Sequence, residues 1–414
     1  MKKLLKAAVA VSVALACTPA FADKNDKNEV FSSSTFKAME LRNIGPAYMS
    51  GRIADIAVDQ NNPSTWYTAV GSGGVWKTTN AGTTWTPIFD DQPVYSIGDV
   101  TIAPSNSNII WVGTGENNGG RHISFGDGVY KSLDGGQTWK NMGLKKSEHV
   151  SDIIIHPTNP DIVWVSAQGP LWSGGGERGL YKTTDGGETW KQVLKPADEW
   201  TGVTSLLIDP RNPDKLYAAT WARQRSIGAY VGTNEGAGIH TSSDGGETWT
   251  ELKTGLPQGN MGKIGMAISP MNPDVIYATI ETDNRGGGFY RSADQGASWT
   301  KMSDEVGGGT GPHYYQEIFA DQHQFDRVYI ASNYSKVSDD GGKTWTPINT
   351  KRKHVDDHAM AFHPTDPDFV LMGSDGGIYM SHDRMANWRF MANLPLTQFY
   401  KVAPDDSKPF YKIY

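Results

Sequence analysis

The chain has 414 residues, of which 38% are hydrophobic and 11% aromatic, and it contains 47 glycines and 14 tryptophans. This much glycine and tryptophan favours many short strands and tight turns over a helical bundle. The formal net charge is −7 and no block of the sequence is basic, which argues against a nucleic-acid partner or binding to an anionic lipid surface.

The first 22 residues have the pattern of a secretory signal. Three lysines precede an apolar stretch, residues 7–17, that is too short to span a bilayer, and Ala20-Phe-Ala22 is a small-x-small cleavage site. We therefore expect cleavage after Ala22, a flexible segment over residues 23–40, and a protein that is periplasmic or secreted, with no membrane insertion. The alternative is a lipoprotein signal that uses Cys17, the only cysteine of the chain.

A motif of the form S/T-x-D-x-G-x-T-W organises the rest of the chain. Its successive tryptophans are about 50 residues apart, which is the length of one four-stranded propeller blade. The seven copies occupy residues 78–85, 132–139, 183–190, 242–249, 292–299, 338–345 and 381–388. Chance does not produce seven copies, so we predict an all-β, seven-bladed β-propeller over residues 41–396.

Each unit repeats the same order of elements. An apolar or alternating strand, such as residues 53–58, leads through a Pro/Asn turn to a second strand, such as residues 162–165. A loop then leads to a third strand, such as residues 179–182, which ends in the motif. The motif is a hairpin turn whose aspartate accepts backbone N–H groups and whose tryptophan opens the fourth strand.

The last residues, 397–414, have the pattern of a strand, a turn and the start of another strand. Two interpretations are open. These residues begin a further blade or a second propeller of a longer protein, or they pair with residues 29–50 to close the ring.

The repeat resembles the Asp-box repeat of bacterial neuraminidases. Together with the segments at residues 41–46, 73–78, 113–116 and 177–179, it is similar to exported bacterial BNR-repeat proteins of the glycosyl hydrolase-like or sortilin N-terminal-like type. Those proteins are similar in turn to the sortilin propeller and to the xyloglucanases of glycoside hydrolase family 74. The resemblance implies that the repeat acids have a structural role; they are Asp134, Asp185, Asp244, Asp294, Asp340 and Asp383, with Asn80 in the first copy.

Long loops between the second and third strands mark the expected working face. They occur in units two to four, at residues 115–128, 167–179 and 220–238, and insertions on one face of a repeat fold are often functional. Candidate substrate-binding residues on this face are Arg52, Asn117, Arg121, Arg178, Trp172, Trp221, Arg223, Arg225, Tyr314 and His358. The two tryptophans either stack on sugar rings or cover loop backbone.

Glu116 and Asp375 are the candidate catalytic residues, because glycoside hydrolysis needs one protonated and one ionised carboxyl group. Asp375, in a glycine-flanked segment, is alternatively a turn residue. The xyloglucanase resemblance implies two aspartates, one from each of two propellers, but Gly71 stands where the base is expected. This replacement argues against the chain acting alone as a xyloglucanase. No metal site or other cofactor is expected.

Three functions remain compatible with these patterns. We favour a propeller that binds glycans on the loop-rich face, with glycoside hydrolysis as the activity if the protein is an enzyme. The alternatives are a sortilin-like module that binds an extended peptide or protein segment, and an assembly-factor propeller without catalysis. The sequence does not identify the ligand or the oligomeric state.

Overall fold

The computed structural model describes residues 49–307, 311, 313–399, 401, 403–410 and 412. The predicted signal with Cys17, the segment 23–40 and the segment 41–46 lie outside the described residues. Within the described part, secondary structure consists of β-strands and one short 3-10 helix, Asp283–Arg285. No helix in this part of the chain is long and apolar enough to cross a bilayer.

The strands form seven consecutive four-stranded antiparallel sheets. The first three contain β1 (Ile53–Val58), β2 (Trp66–Val70), β3 (Gly74–Thr78) and β4 (Thr86–Pro87); β5 (Ile97–Ile102), β6 (Ile110–Thr114), β7 (Val129–Ser132) and β8 (Lys140–Asn141); and β9 (Val150–Ile155), β10 (Val163–Ala167), β11 (Gly179–Thr183) and β12 (Lys191–Leu194). Each sheet follows chain order, as a propeller blade requires.

The fourth blade carries an additional two-stranded hairpin in its long loop. It contains β13 (Thr201–Asp209), β14 (Asn212–Ala222), the hairpin β15 (Gln224–Arg225) and β16 (Tyr230–Val231), then β17 (Gly238–Ser242) and β18 (Thr250–Leu252). The fifth blade contains β19 (Met261–Ile268), β20 (Ile276–Thr282), β21 (Gly286–Ser292) and β22 (Thr300–Ser303).

The last two blades complete the propeller. They contain β23 (Ile318–Ala320), β24 (Val328–Ile330), β25 (Lys336–Ser338) and β26 (Thr346–Pro347), then β27 (Asp357–Phe362), β28 (Val370–Ser374), β29 (Gly377–Ser381) and β30 (Arg389–Phe390). The predicted all-β, seven-bladed fold is therefore confirmed. The described residues from 397 onward contribute no strand to a blade.

The hydrophobic core lies between neighbouring blades. All five residues of β2 are buried, because an inner strand is covered on both faces. The ring closes where blade 7 packs on blade 1, in a cluster that includes Ile53, Trp66, Leu371 and Met391. Asn393 adds a polar link, since its side-chain amide donates to the carbonyl of Gly82 at 2.7 Å.

The repeat aspartates are held inside their turns. Ser132 donates to Asp134 at 2.7 Å, and Asp134 accepts the backbone N–H and the hydroxyl of Thr138 at 2.9 and 2.6 Å. The hydrogen bonds from Thr138 and Ser132 lower the pKa of Asp134 to about 2. Trp139 then donates its indole N–H to the carbonyl of Ile88 in the preceding blade at 2.6 Å. The motif therefore builds both a turn and a contact between blades.

Candidate functional site

Arg52, just before β1, is the centre of a buried polar cluster. Its Nε donates to Glu116, and Nη1 donates to the hydroxyl of Tyr314. Nη1 and Nη2 lie 2.9 and 2.6 Å from Nε2 of His122, and Nε lies 3.6 Å from a carboxylate oxygen of Asp375. Burial lowers the pKa of Arg52, but the charges of Glu116 and Asp375 outweigh it and raise that pKa. Arg52 therefore stays charged.

The ring brings these side chains together from distant parts of the chain. Glu116 follows β6 in blade 2, and Asp375 lies between β28 and β29 in blade 7. Tyr314 precedes β23, at a separation of 262 residues from Arg52. Because the blades form a closed ring, loops from the first and last blades meet at one end of the central channel.

The two carboxyl groups have opposite electrostatic environments. Burial raises the pKa of Glu116, against the lowering by Arg52 and His358, and Glu116 is only 1% exposed. Burial also raises the pKa of Asp375, but the hydrogen bond and charge of His358, together with Arg52, lower it overall. The Nε2 atom of His358 lies 3.0 Å from Asp375. The lowered pKa of Asp375 keeps this carboxylate ionised near neutral pH.

His122 and Tyr314 are neutral partners of Arg52. Burial and the charge of Arg52 lower the pKa of His122 to about 4, so its Nε2 accepts from the guanidinium near neutral pH. Burial raises the pKa of Tyr314, which keeps the phenol protonated. Tyr314 is therefore a hydrogen-bonding residue and not an activated nucleophile.

A cavity of about 410 Å³ opens beside this cluster. Its wall combines two arginines, two aspartates and several uncharged polar or aromatic side chains. The lining residues are Gly120, Arg121, His122, Arg225, His313, Tyr314, Tyr315, Asn333, Asp356 and Asp375. We call this space the Arg52 cavity. Its size and mixed lining are suited to a polar small molecule or one end of a polymer.

Three of the predicted binding residues are buried and form hydrogen bonds within the protein. Trp221 is 1% exposed and donates its indole N–H to Gly232 at 2.9 Å, so the exposed stacking face expected for it is not present. Arg178 donates to five backbone carbonyls of the surrounding loops. Arg223 is completely buried and donates to Gln168. These side chains stabilise the loops from inside.

The remaining predicted residues divide between three places. Arg121, Arg225 and Tyr314 line the Arg52 cavity together with Asp375. Asn117 and His358 line the central channel of the propeller. Trp172 is 46% exposed and is absent from the cavity lining, so it remains an open aromatic face elsewhere on the loops.

Glu116 packs beside Gly71, the residue at the position where the xyloglucanase resemblance predicts a catalytic base. A Cβ atom added to Gly71 would lie 2.8 Å from Oε1 of Glu116. The carboxylate therefore packs directly against position 71, but Glu116 does not line the cavity. Its direct partners are Arg52 and Asn118, the latter at 2.8 Å.

Six of the cavity residues are not among the predicted site residues. They are Gly120, His122, His313, Tyr315, Asn333 and Asp356, and of these His122 and Tyr315 directly follow the predicted residues Arg121 and Tyr314 in the chain. Asp356 lies just before β27 with a positive φ of 66°. Among the described residues, no group of side chains forms a metal site.

Comparison with known proteins assigns the family. The Sortilin-Vps10 family, described as sortilin, neurotensin receptor 3, matches residues 127–285 and 287–409, which is more than half of the chain. The chain belongs to the Sortilin-Vps10 family. This confirms the resemblance to sortilin-like BNR propellers. The matched residues run from the second blade to the end of the seventh and beyond it.

Curated relatives of this Sortilin-Vps10 family member are longer proteins. A xyloglucanase from Paenibacillus sp is 24% identical over 186 residues, covering 44% of this chain and 17% of the relative. A probable oligoxyloglucan-reducing end-specific xyloglucanase from Neosartorya fischeri is 24% identical over 273 residues, covering 59% of this chain and 30% of the relative. The chain thus spans less than a third of the length of these relatives.

Solved structures share the fold. The GH74 xyloglucanase from Xanthomonas campestris superposes with a TM-score of 0.63 at 16% identity, covering 88% of this chain and 57% of that one. YCF48 bound to D1 peptide superposes with a TM-score of 0.53 at 15% identity, covering 82% and 95%. One propeller fold is therefore shared by a xyloglucanase and by a peptide-bound protein.

Proposed function

We propose that this chain binds a glycan in the Arg52 cavity. The observation that carries the proposal is an ionised carboxylate, Asp375, at the wall of a cavity, held by His358 at 3.0 Å and by the charge of Arg52. Sugar hydroxyl groups donate hydrogen bonds to such a carboxylate and accept them from neutral donors such as Tyr314. The rings of Tyr314 and Tyr315 add apolar surface for the sugar.

The similarity to xyloglucanases supports a sugar ligand over a peptide. Two further xyloglucanase sequences from Acetivibrio thermocellus are 26% identical over 266 residues. These alignments cover only 29% of each relative, so hydrolysis by this chain is itself part of the proposal. An inverting or retaining hydrolase needs an ionised carboxylate beside the scissile bond, and our proposal gives that role to Asp375.

Glu116 acts through Arg52 in this proposal. It is buried, it does not line the cavity, and its carboxylate accepts from Nε of Arg52. We therefore assign Glu116 as a positioning residue and Asp375 as the carboxylate that contacts the ligand. The second carboxyl group needed for hydrolysis remains unassigned.

The experiment compares Asp375→Asn with the wild-type protein in binding to xyloglucan and β-glucan oligosaccharides by isothermal titration calorimetry. Removing the charge weakens its hydrogen bonds with sugar hydroxyls, and we expect affinity to fall about tenfold or more. Reducing-end release in the same samples tests hydrolysis. Asp91→Asn is the matched control, because Asp91 is exposed.

An oligosaccharide affinity that is the same in Asp375→Asn and the wild type would show that the Arg52 cavity is not the binding site. A folded protein that binds no sugar, but binds an extended peptide, would favour the sortilin-like alternative. Reducing ends released by the wild type and not by Asp375→Asn would extend the proposal from binding to catalysis.

We also propose that the protein is exported by the leader over residues 1–22. The support is the lysine-rich start, the short apolar stretch and the Ala20-Phe-Ala22 site. N-terminal sequencing of the protein recovered from the periplasm or the medium is expected to begin at Asp23. Recovery of a lipid-modified chain beginning at Cys17 would support the lipoprotein alternative.

A further inference from the structure

Two arginines of the Arg52 cavity lack a counter-charge. Arg121 and Arg225 both line the cavity, and neither forms an ion pair with any residue that the structure describes. Arg225 donates from Nη1 to the carbonyl of Gly119 at 2.7 Å, while its buried Nε donates to no acceptor. Burial and the charge of Arg121 lower the pKa of Arg225, so the two guanidinium groups repel each other.

A third arginine, in the same loop as Arg225 but outside the cavity lining, also lacks an ion-pair partner among the described residues. Arg223 is completely buried; Nη1 donates to Gln168, but Nε and Nη2 have no hydrogen-bond partner. Burial and the charge of Arg178 lower the pKa of Arg223 to about 9. A buried cation without a paired anion is costly, and a nearby anion relieves that cost.

The acidic residues of the same cavity already have partners. Asp375 interacts with His358 and Arg52. Asp356 accepts from the hydroxyl of Tyr315 at 2.7 Å and from the amide of Asn333 at 2.5 Å. Both carboxylates thus accept hydrogen bonds within the protein, whereas Arg121 and Arg225 form no ion pair with a described residue, so a ligand that pairs with these two arginines carries a negative charge.

We propose that the glycan bound in the Arg52 cavity is an acidic one, and that its uronic-acid carboxylate pairs with Arg121 and Arg225. This inference rests on the proposed glycan-binding function and specifies its substrate class. Guanidinium groups bind carboxylates in a planar, two-pronged geometry that a neutral sugar cannot reproduce. The hydroxyl groups of the same sugar donate to Asp356 and Asp375, which repel a second anion. A carboxylate flanked by hydroxyl groups therefore fits the cavity better than a multiply charged phosphate does.

The test uses one oligosaccharide in two charge states. A short oligogalacturonide and its methyl ester have the same sugar rings, but only the free acid carries carboxylates. Calorimetric titration of the full-length protein is expected to show that the free acid binds about tenfold or more tightly than the ester. Arg121→Gln and Arg225→Gln are expected to bring the affinity for the acid down to that for the ester, with little effect on the ester itself.

Arg121→Gln and a control variant, Arg389→Gln, keep the test independent of folding. Arg121 is an exposed side chain, so its replacement does not disturb the core, whereas Arg225 also holds the backbone at Gly119. Arg389→Gln is the matched control, because Arg389 is an exposed arginine on β30, outside the cavity lining. This control is expected to keep the wild-type preference for the acid.

The outcomes separate this inference from the proposed function. Equal affinity for the acid and the ester, unchanged in Arg121→Gln, would overturn the acidic-ligand inference and leave glycan binding intact. No binding of any oligosaccharide, together with binding of a peptide that ends in a free carboxylate, would overturn both.

Discussion

At the scale of single residues, the candidate site depends on how Arg52 is held. Glu116 and Asp375 contact the same guanidinium Nε, while Tyr314 and His122 contact its terminal nitrogens. Because Glu116 is buried and does not line the cavity, its main effect is on the position of Arg52. A change at Glu116 therefore tests whether positioning matters separately from stability.

Glu116→Gln keeps the shape of the side chain and removes its charge. Burial raises the pKa of Glu116 in the folded state, so its ionisation opposes folding, whereas its charge stabilises the buried guanidinium of Arg52. Because these two effects oppose each other, we expect the variant to change stability near neutral pH less than it changes affinity. Glycan affinity is expected to fall about tenfold, because Arg52 loses its strongest anchor. Chemical denaturation and calorimetric titration measure the two effects.

Glu235→Gln is the control for this variant, because Glu235 is exposed. A loss of stability in Glu116→Gln as large as its loss of affinity would indicate a structural role and contradict the assignment of Glu116 as a positioning residue.

At the scale of elements, the propeller closes by packing blade 7 on blade 1. Leu371 on β28 is fully buried in the cluster that contains Ile53 and Trp66. This contact joins elements about 300 residues apart in sequence, and it also sets the distance between the loops that carry Arg52 and Asp375. Loss of packing here acts on both stability and the site.

Leu371→Ala is expected to lower the free energy of unfolding by about 2–5 kcal/mol, because it removes buried methyl groups and leaves a cavity in the closing interface. Urea denaturation followed by tryptophan fluorescence measures it. Leu133→Ala is the control: Leu133 is 66% exposed in a repeat turn, and its replacement is expected to change stability by less than about 0.5 kcal/mol. Equal effects of the two variants would show that closure does not depend on this contact.

At the scale of the whole molecule, three buried or half-buried aspartates line the central channel. Asp55, Asp99 and Asp152 lie on the inner strands β1, β5 and β9, and Lys263 and Glu317 line the same space. Asp55 accepts the N–H of Val100 at 3.1 Å, and Asp152 accepts that of Leu206 at 3.0 Å, so each acid links two adjacent blades.

These acids predict a pH-dependent stability. Burial, with the charge of Asp55, raises the pKa of Asp152 to about 7, and burial raises that of Asp55 to about 6. A carboxyl group with a raised folded-state pKa binds more protons in the native than in the unfolded state, so stability falls as the pH rises from about 4 to about 7. The wild-type protein is therefore expected to be less stable at about pH 8 than at about pH 5 through this contribution.

Asp152→Asn removes one of these ionisations and keeps an oxygen that accepts from Leu206. At about pH 8 the variant is expected to be more stable than the wild type, by on the order of 1–3 kcal/mol, and the difference is expected to vanish near pH 4. Denaturation curves across this pH range measure the effect, with Asp91→Asn as control. A difference that does not change with pH would show that the pKa of Asp152 is not raised in the folded protein.

The site shows how far loop residues can be placed from the sequence alone. Arg121, Arg225, Tyr314 and Asp375 were selected by residue type and by position in the repeat, and the structure brings them to one cavity. Trp221 was selected by the same logic and is buried. The repeat specifies which end of a blade a loop occupies, but not whether a side chain points outward or packs beneath its neighbours.

The number of blades, their order and the turn role of the repeat aspartates follow from the amino-acid sequence. These features are local: a strand, a turn and the next strand are encoded within about 50 residues, and the same turn chemistry recurs in every unit. Which side chains meet depends instead on the three-dimensional packing of the blades. Arg52 reaches Glu116, Tyr314 and Asp375 only because the ring closes and packs loops from distant blades together. Such contacts depend on the packing of the whole ring, which no single repeat encodes.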